Sequence, residues 1–226
     1  DHPEVPGRWQ YYGVSLPFWR SYDKEDPRRE FFYYDYTGDA KRDDQSDYGF
    51  HYMVPEEGVT VVPNDTTKYM QNVATMKYTY DMISDAYYDG RTICIFRLSD
   101  VILCKAEIEN NLNGPAAALP YLNQIRARAG APEYGKHNRF PAPSTKETMN
   151  DAILKERGYE LVFEFQRRAD LIRFGKYEEV VNAHLKKLGI AQPTNVTSSL
   201  RYFPYPLNDA QLNPNLAAEN PSRLPK

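Results

Sequence analysis

The stretch ILKERGYELVFEFQRRADLIRFG, residues 153–175, decides how the chain is read. Glu156, Glu160 and Glu164 recur every four residues, among Arg157, Arg167, Arg168, Asp170 and Arg173. Ile153, Leu154, Leu161, Val162, Phe163, Leu171 and Ile172 stand between the charges. That spacing predicts a helix with its carboxylates along one ridge. Glycoside hydrolysis needs two carboxylates facing each other across a bond, ~5.5 Å or ~6.5–9.5 Å apart. Carboxylates on one ridge point the same way and need a partner from elsewhere. A solvated face fits poorly too, because like charges at i, i+4 repel unless cations lie close. Arginines supply them: Arg157, Arg167, Arg168 and Arg173 locally, Arg126 and Arg128 in RARAG, and Arg97 upstream. Arginine suits partly buried, bidentate pairing with carboxylates. The row therefore reads as structural. Glu156, Glu160, Glu164, Arg126, Arg128, Arg167 and Asp170 are expected to form an ionic network locking three helices into register, with Arg126 or Arg128 as leading partners of a buried Glu160 and Glu164.

Upstream of this stretch the helical signals are firm. RLSDVILCKAEIENNL places Leu98, Val101, Ile102 and Ala106 on one stripe, with Asn113-Gly114 as the stop. GPAAALPYLNQIRARAG offers Leu119, Leu122, Ile125 and Ala129, with Gly130 as the stop. Pro120 calls for a start near residue 118 or a kink, since an interior proline clashes with the preceding turn. The pair reads as a helical hairpin of tetratricopeptide type, a unit that needs neighbours to cover its apolar face. Ser144–Glu147, STKE, fits a capping box, and Met149, Ile153 and Leu161 extend the next stripe to about Phe165. RADLIRFG and KYEEVVNAHLKKLG suggest shorter helices. The tail YFPYPLNDAQLNPNLAAENP reads as ordered but irregular, with one helical turn.

Residues 1–95 show no sustained helical period. Thirteen of the 19 tyrosines fall in residues 1–88 and both tryptophans in the first 19, amid Pro, Gly and Asp turn signals. FFYYDY, 31–36, reads as a strand. The chain is thus expected to be mainly α, with helices over 96–226 supporting a loop-rich, aromatic part with a few short strands over 1–95.

At 226 residues, 41% hydrophobic and 26% charged, the chain can bury a sizeable core. A net charge of −3 gives no electrostatic case for nucleic acid. No apolar run approaches the ~18 residues that span a bilayer, and no signal peptide is visible. The opening DHPEVPGRWQYYG reads as the middle of a longer protein. Cys94 and Cys104 are expected too far apart to bridge. Nothing calls for a cofactor or a metal: the histidines His2, His51, His137 and His184 carry no ligand spacing, and Asp43, Asp44 and Asp47 lack the EF-hand pattern.

RLSDVILCKAEIENNL, LNQIRARAG, residues 153–175 and YFPYPLNDAQLNPNL, with EDPRR (25–29) and MKYTYD (76–81) upstream, resemble in order the signature segments of the SusD/RagB family. The match runs over roughly residues 23–221 and is similar to the C-terminal part of such proteins. Phe165 stands where the family has Gly, Ala169 where it has an aromatic residue, and NPSRLPK lacks the usual aromatic close. The resemblance implies a non-catalytic outer-membrane lipoprotein of Bacteroidetes, exposed to the outside. It would capture oligo- or polysaccharide and deliver it to a TonB-dependent transporter of the SusC kind. It would reach the membrane only through a lipid anchor absent from this sequence. A helical-repeat module that binds peptide or protein is the alternative.

Sugar rings stack on aromatic faces, while their hydroxyls bond to charged and amide groups. Trp9 and Trp19, with Tyr11, Tyr12 and Tyr22, are the candidate platforms, and Arg20 and Asp23 the candidate polar partners. Trp19 sits in a segment framed by Pro17 and Pro27, read as a loop that presents the indole. Burial of both tryptophans in the core is the competing reading.

Overall fold

Helix α2 (Leu98–Asn113) and helix α3 (Pro115–Ala129) turn back on each other at Gly114, whose φ of 89° glycine adopts without steric cost. The computed structural model describes residues 14–33, 35–41, 47–53, 72–75, 77, 94–187, 196–197, 201–203, 205–213 and 215–216. Over that range the protein is mainly helical. Helix α4 (Lys146–Glu160) packs on both arms of the hairpin. Leu103 and Ala106 from α2, Ala118, Leu122 and Ile125 from α3, and Met149 and Ile153 from α4 fill the space between them.

Three local expectations are corrected. The buried face of α2 carries Ser99, Asp100, Leu103, Ala106 and Asn110, while Leu98 and Val101 lie exposed. Apolar residues line both faces of α2, and the inner one is chosen by polar groups that find partners there. Asn110 donates from Nδ2 to the Lys146 carbonyl and to Asn150 Oδ1, both at 2.8 Å, fixing the start of α4. Helix α3 starts at Pro115, not near residue 118, and runs through Pro120, which forfeits one backbone bond inside the helix. The capping box lies one residue later than STKE: Thr145 Oγ1 accepts from the Thr148 amide at 3.2 Å, and Thr148 Oγ1 accepts from the Thr145 amide at 3.0 Å.

Helix α4 ends at Glu160. The chain then turns through Leu161–Phe165 with Phe163 and Phe165 at φ of 60° and 61°. Glu164 therefore lies past the helix, and only Glu156 and Glu160 share its ridge.

The N-terminal region supplies short elements. Strand β1 (Val14–Ser15) leads into helix α1 (Leu16–Arg20), with Ser15 as its cap. A 3-10 turn, Pro27–Phe31, precedes strands β2 (Phe32–Tyr33), β3 (Asp35–Lys41), β4 (Asp47–Met53) and β5 (Asn72–Thr75). Strand β5 pairs antiparallel with β1 (Val14 opposite Val73) and with β2 (Phe32 opposite Thr75). Strands β3 and β4 form a separate antiparallel hairpin, Asp35 opposite Met53.

The chain divides into two units, Asp1–Arg167 and Arg168–Lys226. Helix α5 (Arg167–Arg173) starts at the division, and α6 (Tyr177–Lys187) and α7 (Leu207–Leu212) follow. Within the second unit the Arg168 guanidinium lies over the Phe203 ring at 4.7 Å, and its Nη2 donates to the Arg201 carbonyl at 2.9 Å. Arg201 pairs with Glu178 at 2.7 Å, and Asn182 bonds both the amide and the carbonyl of Val196. Such local clamps tie together the described parts of this unit.

Candidate functional site

The charged row is a hub reached from several elements. Glu156 and Glu160 are buried on α4, and Glu164 is buried in the turn beyond it. Arg28, delivered by the 3-10 turn, places Nη1 2.7 Å from Glu156 Oε1 and 3.0 Å from Glu160 Oε2. Its Nε and Nη2 form a fork on Asp26, at 3.0 and 2.7 Å. Burial opposes the Arg28 charge, but the bonds to Asp26 and Glu156 outweigh it and hold the guanidinium's pKa above its ordinary value. Arg126 reaches the other oxygen of Glu156 at 2.8 Å, and Arg128 reaches Glu160 Oε1 at 2.6 Å. Arg97 spans Glu160 at 2.7 Å and Glu164 at 2.8 Å, and Lys77 pairs with Glu164 while capping the Glu160 and Val162 carbonyls. Burial pushes the Glu160 carboxyl up, yet Arg97 and Arg128 dominate and set its pKa to about 2.

Beside the hub stands a largely aromatic cluster, Trp19, Tyr22, Phe32 and Tyr159 with the aliphatic Val14. Tyr22 and Tyr159 stack at 4.2 Å. The Tyr22 hydroxyl donates to the Tyr159 carbonyl at 3.0 Å, and the Tyr159 hydroxyl donates to the Ser21 carbonyl. Burial pushes both phenols up, Tyr159 to about 12. Trp19 sits on α1 rather than on a loop, because Ser15 caps that turn and Pro17 fits its first residues. Its indole Nε1 donates to the Arg29 carbonyl at 3.4 Å, and the Arg29 guanidinium lies 4.1 Å from its ring centre.

One side of the cluster opens into a cleft of about 630 Å³ whose walls include Trp19, Arg20, Tyr22 and Asp23. Four expected ligand contacts thus meet at one place. Trp19 is only 6% exposed, so little ring area is open to a stacked sugar. Asp23 pairs with Arg139 at 3.1 Å, both lining the cleft, and Arg139 also reaches Glu25 at 2.7 Å. Lys155 and Phe140 also line the cleft, the Lys155 amine lying 5.7 Å from the centre of the Tyr159 ring.

Trp9, Tyr11 and Tyr12 lie outside the described residues, as do Asp43 and Asp44. Arg167 donates from Nη1 to the Leu154 carbonyl at 2.7 Å, and Asp170, in the second unit, pairs with Arg173 at 3.0 Å. Sequence reasoning passed over Arg28 and Lys77 in the hub and Arg139 and Lys155 in the cleft. EDPRR contains Arg28 and its near partner Asp26, but Glu156 and Glu160 lie more than a hundred residues on. Among the described residues no group of three or more His, Cys, Asp or Glu is arranged to hold a metal, and no helix is long and apolar enough to cross a membrane. Cys94 and Cys104 are both free thiols.

A model of the SusD family matches residues 11–222. SusD-like protein P25 of Formosa agariphila is 39% identical over 120 residues, which is 53% of this chain and 22% of that protein. Starch-binding protein SusD of Bacteroides thetaiotaomicron is 28% identical over 137 residues, 60% of this chain and 22% of that protein. Among solved structures, a SusD superfamily protein from Bacteroides vulgatus aligns over 53% of this chain and 25% of its own, at 28% identity and a TM-score of 0.41. The matched stretch thus spans about a fifth of each of the two curated relatives. With 212 consecutive positions, residues 11–222, answering to the family's pattern, the chain belongs to the SusD family.

Proposed function

We propose that this chain is part of a non-catalytic, cell-surface protein that captures glycan and hands it to a TonB-dependent transporter of the SusC kind. The cleft carries the reading: Asp23, Arg20 and Arg139 stand at its wall beside the Trp19–Tyr22–Tyr159 cluster, so hydroxyl-bonding groups are mounted on a rigid aromatic base. Family membership and the starch-binding name of one relative support the same class of ligand. The carboxylates of α4 support a role without catalysis, since Glu156 and Glu160 are sealed from water and engaged by arginines. Placement at the outer membrane, on a lipid anchor, is part of the same proposal.

Calorimetry of the intact protein against a panel of oligo- and polysaccharides tests it. Binding is expected, with no release of reducing ends. Turnover that survives purification and disappears in Glu160→Gln would overturn the non-catalytic reading. A blank panel together with capture of an extended peptide would favour a peptide-binding module. Co-purification with a SusC-like transporter checks the partner.

A further inference from the structure

We propose that the cleft selects glycans bearing an anionic substituent, a uronate carboxylate or a sulfate ester, held by Lys24, Arg29 and Lys155. The proposal rests on the glycan-capture reading and narrows it. Cations outnumber carboxylates on the cleft wall, and the two carboxylates present are already engaged, Asp26 by Arg28 at 2.7 Å and Asp23 by Arg139 at 3.1 Å. Lys24, Arg29 and Lys155 have no carboxylate within ion-pairing distance among the described residues. Like charges gathered in one concave wall raise its potential and favour a counter-anion, which neutral hydroxyls cannot replace. Burial chiefly, and then the neighbouring Arg126 charge, hold the Lys155 amine below the ordinary lysine pKa.

Arg29 is the best-prepared of the three. Its guanidinium rests on the buried Trp19 indole, 4.1 Å from the ring centre, so the side chain is already ordered. A stacked guanidinium keeps its edge N–H groups for a planar carboxylate or a sulfate. Trp19 thereby acts as a positioning residue for Arg29, not as the sugar platform itself.

Matched ligand pairs isolate the charge. Oligogalacturonate is compared with its methyl ester, and sulfated carrageenan oligomers with the desulfated chains, by calorimetry on the intact protein. At least one charged member should bind about tenfold or more tighter than its neutral twin, the usual scale of one charge-assisted contact. Which pair shows the preference identifies carboxylate or sulfate. The preference should weaken with added salt and collapse in Lys24→Gln/Lys155→Gln, whose side chains are exposed, and in Arg29→Gln. Equal affinity within both pairs, or a preference that survives the double variant, overturns the proposal while glycan capture stands. If no member of either pair and no neutral glycan binds, the capture reading itself fails.

Discussion

Arg28 and Glu156 are 128 residues apart in the chain and 2.7 Å apart in space, both nearly sealed from water. Two charges so placed are held by geometry more than by net attraction, because their desolvation offsets much of the Coulomb gain. Removing one partner is a different matter, since the other stays buried and uncompensated. Arg28→Ala is expected to cost ~3–5 kcal/mol in denaturant unfolding, and Arg126→Ala a similar amount. Arg128 also pairs with Glu160, but its side chain is 59% exposed, so Arg128→Ala should cost less than ~1 kcal/mol. Equal losses at Arg28 and Arg128 would contradict the hub.

Stability should fall in acid through Glu160. Its folded-state pKa, about 2, lies below the ordinary value of 4.5, so its contribution is complete above about pH 4.5 and is lost as pH falls towards 2. At ~1.4 kcal/mol per tenfold, the window is worth about 3 kcal/mol. Glu160→Gln should flatten that part of the curve in urea titrations at stepped pH. A wild-type and variant that lose stability in parallel below pH 4.5 would refute the assignment.

Phe165 is 87% exposed with a φ of 61°, a conformation that bulky side chains adopt only under strain. Phe165→Gly should stabilise the protein by ~1 kcal/mol, despite the entropy of glycine in the unfolded chain. Phe163 has the same φ but packs against the aromatic cluster, so Phe163→Gly should destabilise. A thermal melt of the two variants checks the opposed signs.

Trp19→Ala should lower stability by ~3–5 kcal/mol, the usual cost of emptying a buried aromatic site. Trp19→Phe keeps a ring under the Arg29 guanidinium and should recover most of both stability and affinity for a charged glycan. Full affinity in a folded Trp19→Ala protein would remove Trp19 from the binding wall.

Helices with strong period and end signals were legible in the sequence, as Gly114 and Gly130 show at their turns. The inner face of α2 was not, because hydrophobicity marks both its faces and only Asn110 and Asp100 distinguish them. The four-residue row predicted a network but extended α4 one turn too far, since LVFEF holds no glycine to mark the positive φ values at Phe163 and Phe165; only the family's Gly at position 165 hints at the second. Of the partners expected for Glu160 and Glu164, Arg128 does reach Glu160, but Arg126 pairs with Glu156 instead and Glu164 is held by Arg97 and Lys77; Arg28 and Lys77 approach from distant segments and left no periodic trace. In the cleft, Trp19, Arg20, Tyr22 and Asp23 share one short segment and were legible together. Arg139 and Lys155 come from elsewhere in the chain, and only folding brings them to it.

The hub also bears on how the protein can be dissected. Composition invites a cut near residue 95, between the aromatic half and the helices. Such a cut would strip Arg28 and Lys77 from α4 and its following turn, leaving Glu156 with Arg126 alone and Glu164 with Arg97. A fragment starting there would carry the helical hairpin intact yet leave buried oxygens of Glu156, Glu160 and Glu164 without the donors that Arg28 and Lys77 supply. Shortened expression clones of this protein should therefore retain the Asp26–Arg28 turn if they are to fold.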